Sequence, residues 1–393
     1  MAIRHQLAVY SPIPIGAPMH GVAAALRLAH DPRPALVEFL RTEFDASSVV
    51  LTGSGTQALQ IAITSAVRRA GGEGTVALPA FSCFDVASAA IGANVSTALY
   101  DLDPSTLEPD LESLERVLSS GARIAVIAPL YGLPVDWAAL ESLAIRYGAM
   151  LIEDSAQGHG ASWHGRPLGA LGTTSTLSFG RGKGWTGGRG GAVLVRRGGS
   201  LDASTLPSAR VGAEASSMVG LLAQWMLGRP AVYGIPHSIP ALGLGETTYH
   251  PPVAPTDMPR SAAAAVIHAI HASREEAERR RENARWFLEH LPREERVRAI
   301  RPTSDATPGY LRLPVRIRGG LAAIRGTARA LALGVAPSYP RTLSHLAPGL
   351  TGPERRWPGA DELAADLLTL PTHSRLSAIE REEIVRVLDE SLR

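Results

Sequence analysis

Residues 48–63, Ser48-Val49-Val50-Leu51-Thr52-Gly53-Ser54-Gly55-Thr56-Gln57-Ala58-Leu59-Gln60-Ile61-Ala62-Ile63, decide the fold reading because they pass from strand to turn to helix without a break. Ser48 to Leu51 reads as a short buried strand, and Leu59, Ala62, Ile63, Ala66 and Val67 then return at helical spacing. Thr52 to Thr56 joins the two. A strand that runs through a Gly/Ser/Thr turn into a helix points free backbone amides and a hydroxyl at an anion. An ordinary tight turn with a Ser or Thr cap has the same composition, so both readings stand on these residues alone.

The pattern continues on both sides. Pro34 to Phe44 reads as a helix with Leu36, Val37 and Leu40 on one side and Pro34 in its first turn. Downstream, strands are expected at 75–78, 95–100, 123–128, 150–153 and 174–179, with 192–195 returning through the sheet. Helices are expected from Phe81, after the cap Asp110, and over 136–147 up to Gly148. This alternation predicts an α/β fold with a largely parallel sheet and helices on both faces. After Pro259 the character changes. Ser261 to Leu291 is a long helical segment, Leu311 to Ile317 a half-buried strand, Leu321 to Leu333 a helix ending at Gly334, and Ala378 to Leu388 an amphipathic helix. The expected division is a large domain over 1–255, with an apolar insertion at about 198–249, and a small C-terminal domain over 256–393.

A length of 393 residues is more than one ordinary core and suits two unequal domains. Apolar residues at 45% and charged residues at 19% describe a globular chain. The net charge of +2, with arginines interleaved among carboxylates, gives no footprint for nucleic acid. A single cysteine, Cys83, excludes an internal disulfide and suits a reducing cytoplasm. Pro12, Pro14 and Pro18 break the early apolar residues, so no signal peptide is expected. Arg229, Pro230, Pro236, His237 and Pro240 interrupt the most apolar later stretch, 218–245, which argues against a spanning helix. His268 and His271 lie three apart on a helix without a third ligand nearby, and no metal site is expected.

In parallel sheets the ligand sits beyond the carboxyl ends of the strands, and two side chains there stand out. Asp154 ends the strand Met150-Leu151-Ile152-Glu153, with Gln157 close behind, although a helix cap would read the same way. Lysine and arginine total 39, yet Lys183, set among glycines in Ser178-Phe179-Gly180-Arg181-Gly182-Lys183-Gly184, is the only lysine. A lysine amine can lose its proton and attack a carbonyl, whereas a guanidinium cannot. An amine for a Schiff base, a carboxylate for a ring nitrogen and an amide-rich turn for a phosphate are the parts that hold pyridoxal 5'-phosphate. Lys183 would carry the cofactor and move the Cα proton, and Asp154 would keep the pyridine nitrogen protonated. Gly55, Thr56 and Ser178 would hold the phosphate and Gln157 the ring hydroxyl.

At these residues the chain resembles the DegT/DnrJ/EryC1/StrS aminotransferases. The resemblance runs through Ser54-Gly55-Thr56-Gln57-Ala58-Leu59, Pro79-Ala80-Phe81-Ser82, Asp101-Leu102-Asp103-Pro104, Leu130-Tyr131-Gly132, Glu153-Asp154-Ser155-Ala156-Gln157, Ser178-Phe179 with Lys183, Gly190-Gly191, Tyr339-Pro340 and Leu370-Pro371-Thr372-His373. It implies fold type I, a large domain with a mostly parallel sheet sandwiched by helices plus a small C-terminal α+β domain. It also implies pyridoxal 5'-phosphate as cofactor and a homodimer. The implied reaction moves an amino group from L-glutamate or L-glutamine to a keto group of a nucleotide-linked sugar, in cell-surface polysaccharide or secondary-metabolite synthesis. Lys183 stands where a dehydrating branch of the family has histidine, which points to transamination.

The departures from the family pattern are specific. The aromatic that packs on the cofactor ring is replaced by Cys83, with Phe84 beside it, so either residue is a candidate for that wall. Pro129 stands where a histidine is expected. Gly245-Glu246-Thr247-Thr248-Tyr249 replaces a Gly-Tyr-Asn-Tyr-Arg motif that reaches the partner subunit's cofactor. Two alternatives therefore accompany the sugar reading: a less polar, non-sugar carbonyl acceptor, or a cofactor-binding sensor without turnover. Met218, Val219, Leu221, Leu222, Trp225, Met226 and Leu227 predict an apolar helix ended by Arg229-Pro230, with extended chain from Tyr233. Residues 201–249 are thus a candidate specificity wall at the mouth of the cofactor site, or a segment that packs on the small domain or enlarges the dimer interface, and 218–245 is a candidate peripheral membrane or carrier contact.

Overall fold

The computed structural model describes residues 5–72, 74–199, 201, 206–207, 211–230, 232–233, 248–292, 297–303, 305–346 and 356–392. Helices α1 (Gly16–Ala25) and α2 (Arg33–Glu43) precede strand β1 (Ser48–Thr52) and helix α3 (Gly55–Arg69). Helix α1 was not expected among the N-terminal prolines. Pro18 falls in its first turn, where a missing N–H breaks no helical hydrogen bond. Ser54 caps α3, its hydroxyl accepting from the Gln57 amide at 3.2 Å. There follow β2 (Thr75–Pro79), α4 (Phe84–Gly92), β3 (Ser96–Tyr100), α5 (Leu111–Ser119), β4 (Ala122–Ile127), α6 (Trp137–Tyr147) and β5 (Met150–Asp154). A two-stranded excursion, β6 (Ser162–Trp163) and β7 (Arg166–Pro167), leads to β8 (Thr174–Ser178) and β9 (Gly191–Val195).

These strands form one sheet in the order β1-β9-β8-β5-β4-β2-β3. β8, β5, β4, β2 and β3 are parallel, while β9 runs antiparallel to both neighbours. The alternation of side chains explains why both faces are covered. Val76, Leu78, Ile124, Val126 and Ile152 bury against α3 and α4, and Ala77, Ala125 and Ile127 bury against α5 and α6. The helix expected from Phe81 starts at Phe84, after residues 80–83 cross the sheet edge.

Beyond the sheet lie α7 (Val211–Leu227) and the long α8 (Arg260–His290). Ala262, Ala263, Val266 and Ala269 of α8 pack with Leu36 and Leu40 of α2, whereas Phe287 packs with the second sheet. The boundary expected at 255/256 falls ahead of a helix that both units share. Next come β10 (Val297–Ala299), β11 (Ala306–Thr307), β12 (Leu313–Ile317), α9 (Thr327–Ala332), β13 (Ala336–Pro337), α10 (Pro358–Asp366), β14 (Leu367–Leu370) and α11 (Ala378–Leu392). The second sheet has the order β10-β12-β14-β13 and is antiparallel, while β11 joins β6 and β7. The single helix expected over 321–333 is instead a short turn, Gly320–Ala323, followed by α9, because Gly326 adopts a φ of +75° between them.

Helix α7 buries Leu221 against Ile13, Ala17 and Ala265 and leaves Val219, Leu222 and Met226 exposed. The chain is not extended at Tyr233. Pro230 opens a further helical turn in which the Val232 and Tyr233 amides both donate to the Arg229 carbonyl at 2.9 Å. The expected extended run 234–236, and residues 245–247 of the replaced motif, lie outside the described residues. Among the described residues no helix is long and apolar enough to cross a membrane.

One buried carboxylate holds the rim of the sheet. Glu153 on β5 accepts five hydrogen bonds, from the amides of Gly169, Leu171 and Gly172 and the hydroxyls of Ser155 and Ser175, at 2.6 to 3.1 Å. Arg196 takes the carbonyls of Gly169 and Gly172 in the same loop and the Phe44 carbonyl at 3.0 Å. Replacing Glu153 by Gln puts an NH₂ where N–H donors already converge. Glu153→Gln is expected to lower unfolding stability by roughly 1–3 kcal/mol, the cost of leaving such a donor unpaired. Chemical denaturation of the two proteins measures this, and equal midpoints would show that the loop does not depend on the carboxylate.

Candidate active site

Four segments converge at the carboxyl edge of the parallel strands. β5 ends in Asp154, β8 ends in Ser178, α3 begins with Gly55 and Thr56, and the β2–α4 connection supplies Ser82 and Cys83. Together with Gln157 and Lys183 these residues line one cavity of about 40 Å³. A second cavity of about 260 Å³ shares Cys83, Asp85, Gln157 and Lys183 with it and extends toward Tyr339 and Arg312 of the second unit. A third, of about 220 Å³, meets them at Ser178 and Lys183.

The loop carrying Lys183 is fixed on both sides of the amine. Gly182 and Gly184 adopt φ of +73° and +83°, a region other residues rarely enter. The Gly184 amide donates to the Ser11 hydroxyl at 3.0 Å, Trp185 Nε1 to the Val266 carbonyl at 2.8 Å, and the Gly187 amide to the Phe179 carbonyl at 3.0 Å. No hydrogen bond or ion pair within the described residues engages the Lys183 amine itself. Its charge nevertheless reaches the cavity walls, because it pulls the pKa values of Asp154 and Cys83 downward.

Asp154 accepts from the Ala156 amide at 3.2 Å and the Thr176 hydroxyl at 3.1 Å. Burial raises its carboxyl above the ordinary carboxylate range, and Lys183 is the largest opposing influence. Turns and no helix follow it, so it is no helix cap. It is a half-buried acid that lacks a full counter-charge. At the opposite wall, the first amides of α3 face the cavity, where the positive end of a fifteen-residue helix favours an anion. Gly55 has no room for a side chain, since a Cβ there would stand 2.5 Å from Ser178 Cβ. The Ser82 hydroxyl is buried in this cavity without a hydrogen-bond partner. Amides and hydroxyls for a phosphate, a carboxylate for a ring nitrogen and a free amine are the donor set that pyridoxal 5'-phosphate requires, and these residues fit it.

Of the two candidates for the ring-packing wall, Cys83 lines the cavity and Phe84 does not. The Phe84 ring faces the adjoining cavity, 6.4 Å from the ring of Tyr339. Gln157 is more committed than the sequence suggested. Its Oε1 accepts from the Tyr131 amide at 2.8 Å, and its Nε2 donates to the Tyr339 hydroxyl at 2.7 Å, which leaves one N–H free. Tyr131 adopts a φ of +57° and its hydroxyl bonds Ser338, so the two tyrosines stitch the large unit to the small one across the site. Leu130-Tyr131-Gly132 and Tyr339-Pro340 mark these positions in the sequence, but nothing local reveals the link. No α7 residue, Trp225 and Met226 included, lines any of the three cavities. The helix instead backs the glycine loop, with Leu221 against Gly188 and Gln224 near the Thr186 hydroxyl at 3.4 Å.

Residues 35–207 match the DegT/DnrJ/EryC1/StrS aminotransferase family. An L-glutamine:2-deoxy-scyllo-inosose aminotransferase of Streptomyces lividus is 38% identical over 147 residues, 37% of this chain and 34% of that protein. The 3-amino-5-hydroxybenzoate synthase of Amycolatopsis mediterranei is 32% identical over 149 residues, 38% of each chain. The matched region thus spans about a third of the length of these curated relatives. The crystal structure of the sugar aminotransferase CalS13 from Micromonospora echinospora superposes over 98% of this chain and 99% of its own, with a TM-score of 0.75 at 20% identity. The expected fold is therefore present along almost the whole chain.

Burial pushes the Cys83 thiol up to about 11, with Lys183 drawing it the other way. The raised value keeps the sulfur protonated at neutral pH, as a small apolar wall in place of a nucleophile. The rate of alkylation of Cys83 by iodoacetamide in the cofactor-free protein is expected to keep rising about tenfold per pH unit from pH 7 to pH 10, whereas that of the denatured chain levels off near about pH 9. A plateau near pH 9 would show an unshifted thiol.

Proposed function

We propose that this chain, whose residues 35–207 match the DegT/DnrJ/EryC1/StrS family, is a pyridoxal phosphate-dependent aminotransferase that moves nitrogen from an amino acid to a keto group on a polyhydroxylated ring. The observation that carries the reading is the pairing of the only lysine with half-buried Asp154 in one cavity, at the amide end of α3. L-Glutamine or L-glutamate is the proposed donor and a sugar the proposed acceptor, a nucleotide-linked one being the form the resemblance implies. The names of the relatives support this breadth, since they include a glutamine-dependent cyclitol aminotransferase and a synthase of an aminated aromatic acid.

Bound in this site, pyridoxal phosphate supplies the electron sink that lets the donor's Cα–H bond break. Gly55, Thr56 and Ser178 would hold the phosphate, Asp154 the ring nitrogen, and Cys83 one face of the ring. Asp154 is suited to its task because a carboxylate buried against a cation favours a protonated partner. The Lys183 amine would take the proton from the donor Cα and return it to the product side, from a loop whose backbone is held in place. Gln157 keeps one N–H for a ring oxygen while its remaining bonds hold Tyr131 and Tyr339 in place.

A two-fold dimer is the proposed assembly. The exposed Ile15 and Met19 of α1, with Val219, Leu222 and Met226 of α7, supply an apolar surface of the kind an interface covers. A membrane or carrier contact through 218–245 would use the same α7 side chains, and sedimentation with and without lipid vesicles separates the two. The lone cysteine supports work in the cytoplasm.

The central reading is tested with purified protein and L-glutamine or L-glutamate. Borohydride reduction is expected to fix the cofactor on Lys183, mapped by peptide mass, and Lys183→Arg to abolish both the adduct and the amino-donor half-reaction. Asp154→Asn is expected to keep the fold and to slow that half-reaction at least a hundredfold, roughly 2.7 kcal/mol in barrier. A slowing within about threefold, under ~1 kcal/mol, would leave Asp154 no role beyond its local hydrogen bonds.

A further inference from the structure

The 260 Å³ cavity beside Lys183 has an unbalanced charge. Among the described residues, Arg181, Lys183 and Arg312 line it against the single carboxylate of Asp85. Arg312 is the unusual member. It stands just ahead of β12, half-buried, and its one hydrogen bond among the described residues is a long one of 3.5 Å to the Thr369 hydroxyl. Two other half-buried arginines are matched with carboxylates, Arg33 with Asp31 and Asp257 and Arg316 with Glu362, and Arg196 spends its guanidinium on backbone carbonyls. Arg312 has no carboxylate within ion-pair reach among the described residues. Its charge is felt at the Tyr131 and Tyr339 hydroxyls, which places it at the same wall as the link between the two units. A guanidinium taken partly out of water without a counter-charge is costly unless a ligand supplies one, and its planar fork matches a carboxylate.

We propose that Arg312 is the anchor for a carboxylate of the amino donor, holding it so that the donor's Cα reaches the Lys183 amine. This rests on the aminotransferase reading and deepens it. Arg312 and Lys183 line the same cavity, so a donor's carboxylate and its Cα can be placed in one space. Because Arg312 belongs to the second unit and Lys183 to the first, the anchor also makes donor binding depend on the Gln157, Tyr131 and Tyr339 link that sets their separation.

The test uses glutarate, an unreactive dicarboxylate, titrated calorimetrically into the cofactor-loaded protein, beside the half-reaction with L-glutamate and L-glutamine. Arg312→Ala is expected to weaken glutarate at least tenfold and to raise the donor KM at least tenfold with a smaller change in kcat. Arg312→Lys, which keeps the charge but loses the fork, should fall between, and Arg312→Gln, which keeps a polar side chain without the charge, should resemble Arg312→Ala. Unchanged glutarate affinity and donor KM in folded Arg312→Gln overturn the proposal while leaving the aminotransferase reading intact. Absence of glutarate binding by the wild type overturns it too. A variant that loses UDP affinity but keeps glutarate affinity assigns Arg312 to the acceptor's phosphates and overturns it as well. If no amino donor reacts but glutarate binding still depends on Arg312, the carboxylate site stands and the aminotransferase reading fails.

Discussion

The carboxylate of Glu153 is the constraint on which the site's geometry depends. It lies in the sheet with its five donors drawn from three separate segments: β5's own exit, the loop at 169–172, and β8. A buried carboxylate survives only when its lone pairs are filled, so the loop has one arrangement open to it. Arg196 holds the other side of that loop by its carbonyls. The consequence reaches the next residue in each strand. β5 and β8 pair through Glu153 with Ser175 and Asp154 with Thr176, which fixes where Asp154 and Ser178 emerge from the sheet. A charge that never meets substrate therefore positions two side chains that face the cavity.

The parts of the fold that the sequence made legible are those with local causes. The alternation of strands and amphipathic helices, the cap at Asp110 and the stop at Gly148 each depend on a few adjacent residues, and each is present. The convergence of Gly55, Thr56, Cys83, Asp154, Gln157, Ser178 and Lys183 on one cavity was also legible, because strand ends of a parallel sheet share an edge. What could not be read depends on contacts between distant residues or on one backbone angle. The break at Gly326 needs only a φ of +75°, and a helical pattern reads straight through it. Phe84 and Cys83 are adjacent, and only the start of α4 decides which of them faces the cavity. Tyr339 meets Gln157 across 182 residues of sequence, a separation at which composition and spacing carry no signal. Helix α7 was placed correctly as a helix, but its partner proved to be the back of the glycine loop and α1, not the mouth of the cavity.

The site divides its tasks between a rigid floor and a wall that depends on docking. The floor, from Asp154 through Ser178 to the pinned glycine loop, is held by hydrogen bonds inside the large unit. The wall, with Tyr339 and Arg312, comes from the small unit, and across the site it is tied to the floor by Gln157 and by the Tyr131–Ser338 bond. Gln157 bonds both tyrosines, so a change in how the units dock must disturb the same amide that faces the cavity. The resulting coupling runs in both directions by necessity: whatever the amide binds in the cavity steadies the docking, and docking prepares the amide. Tyr131, held at a backbone angle that costs energy, stores part of that preparation in the large unit before any ligand arrives.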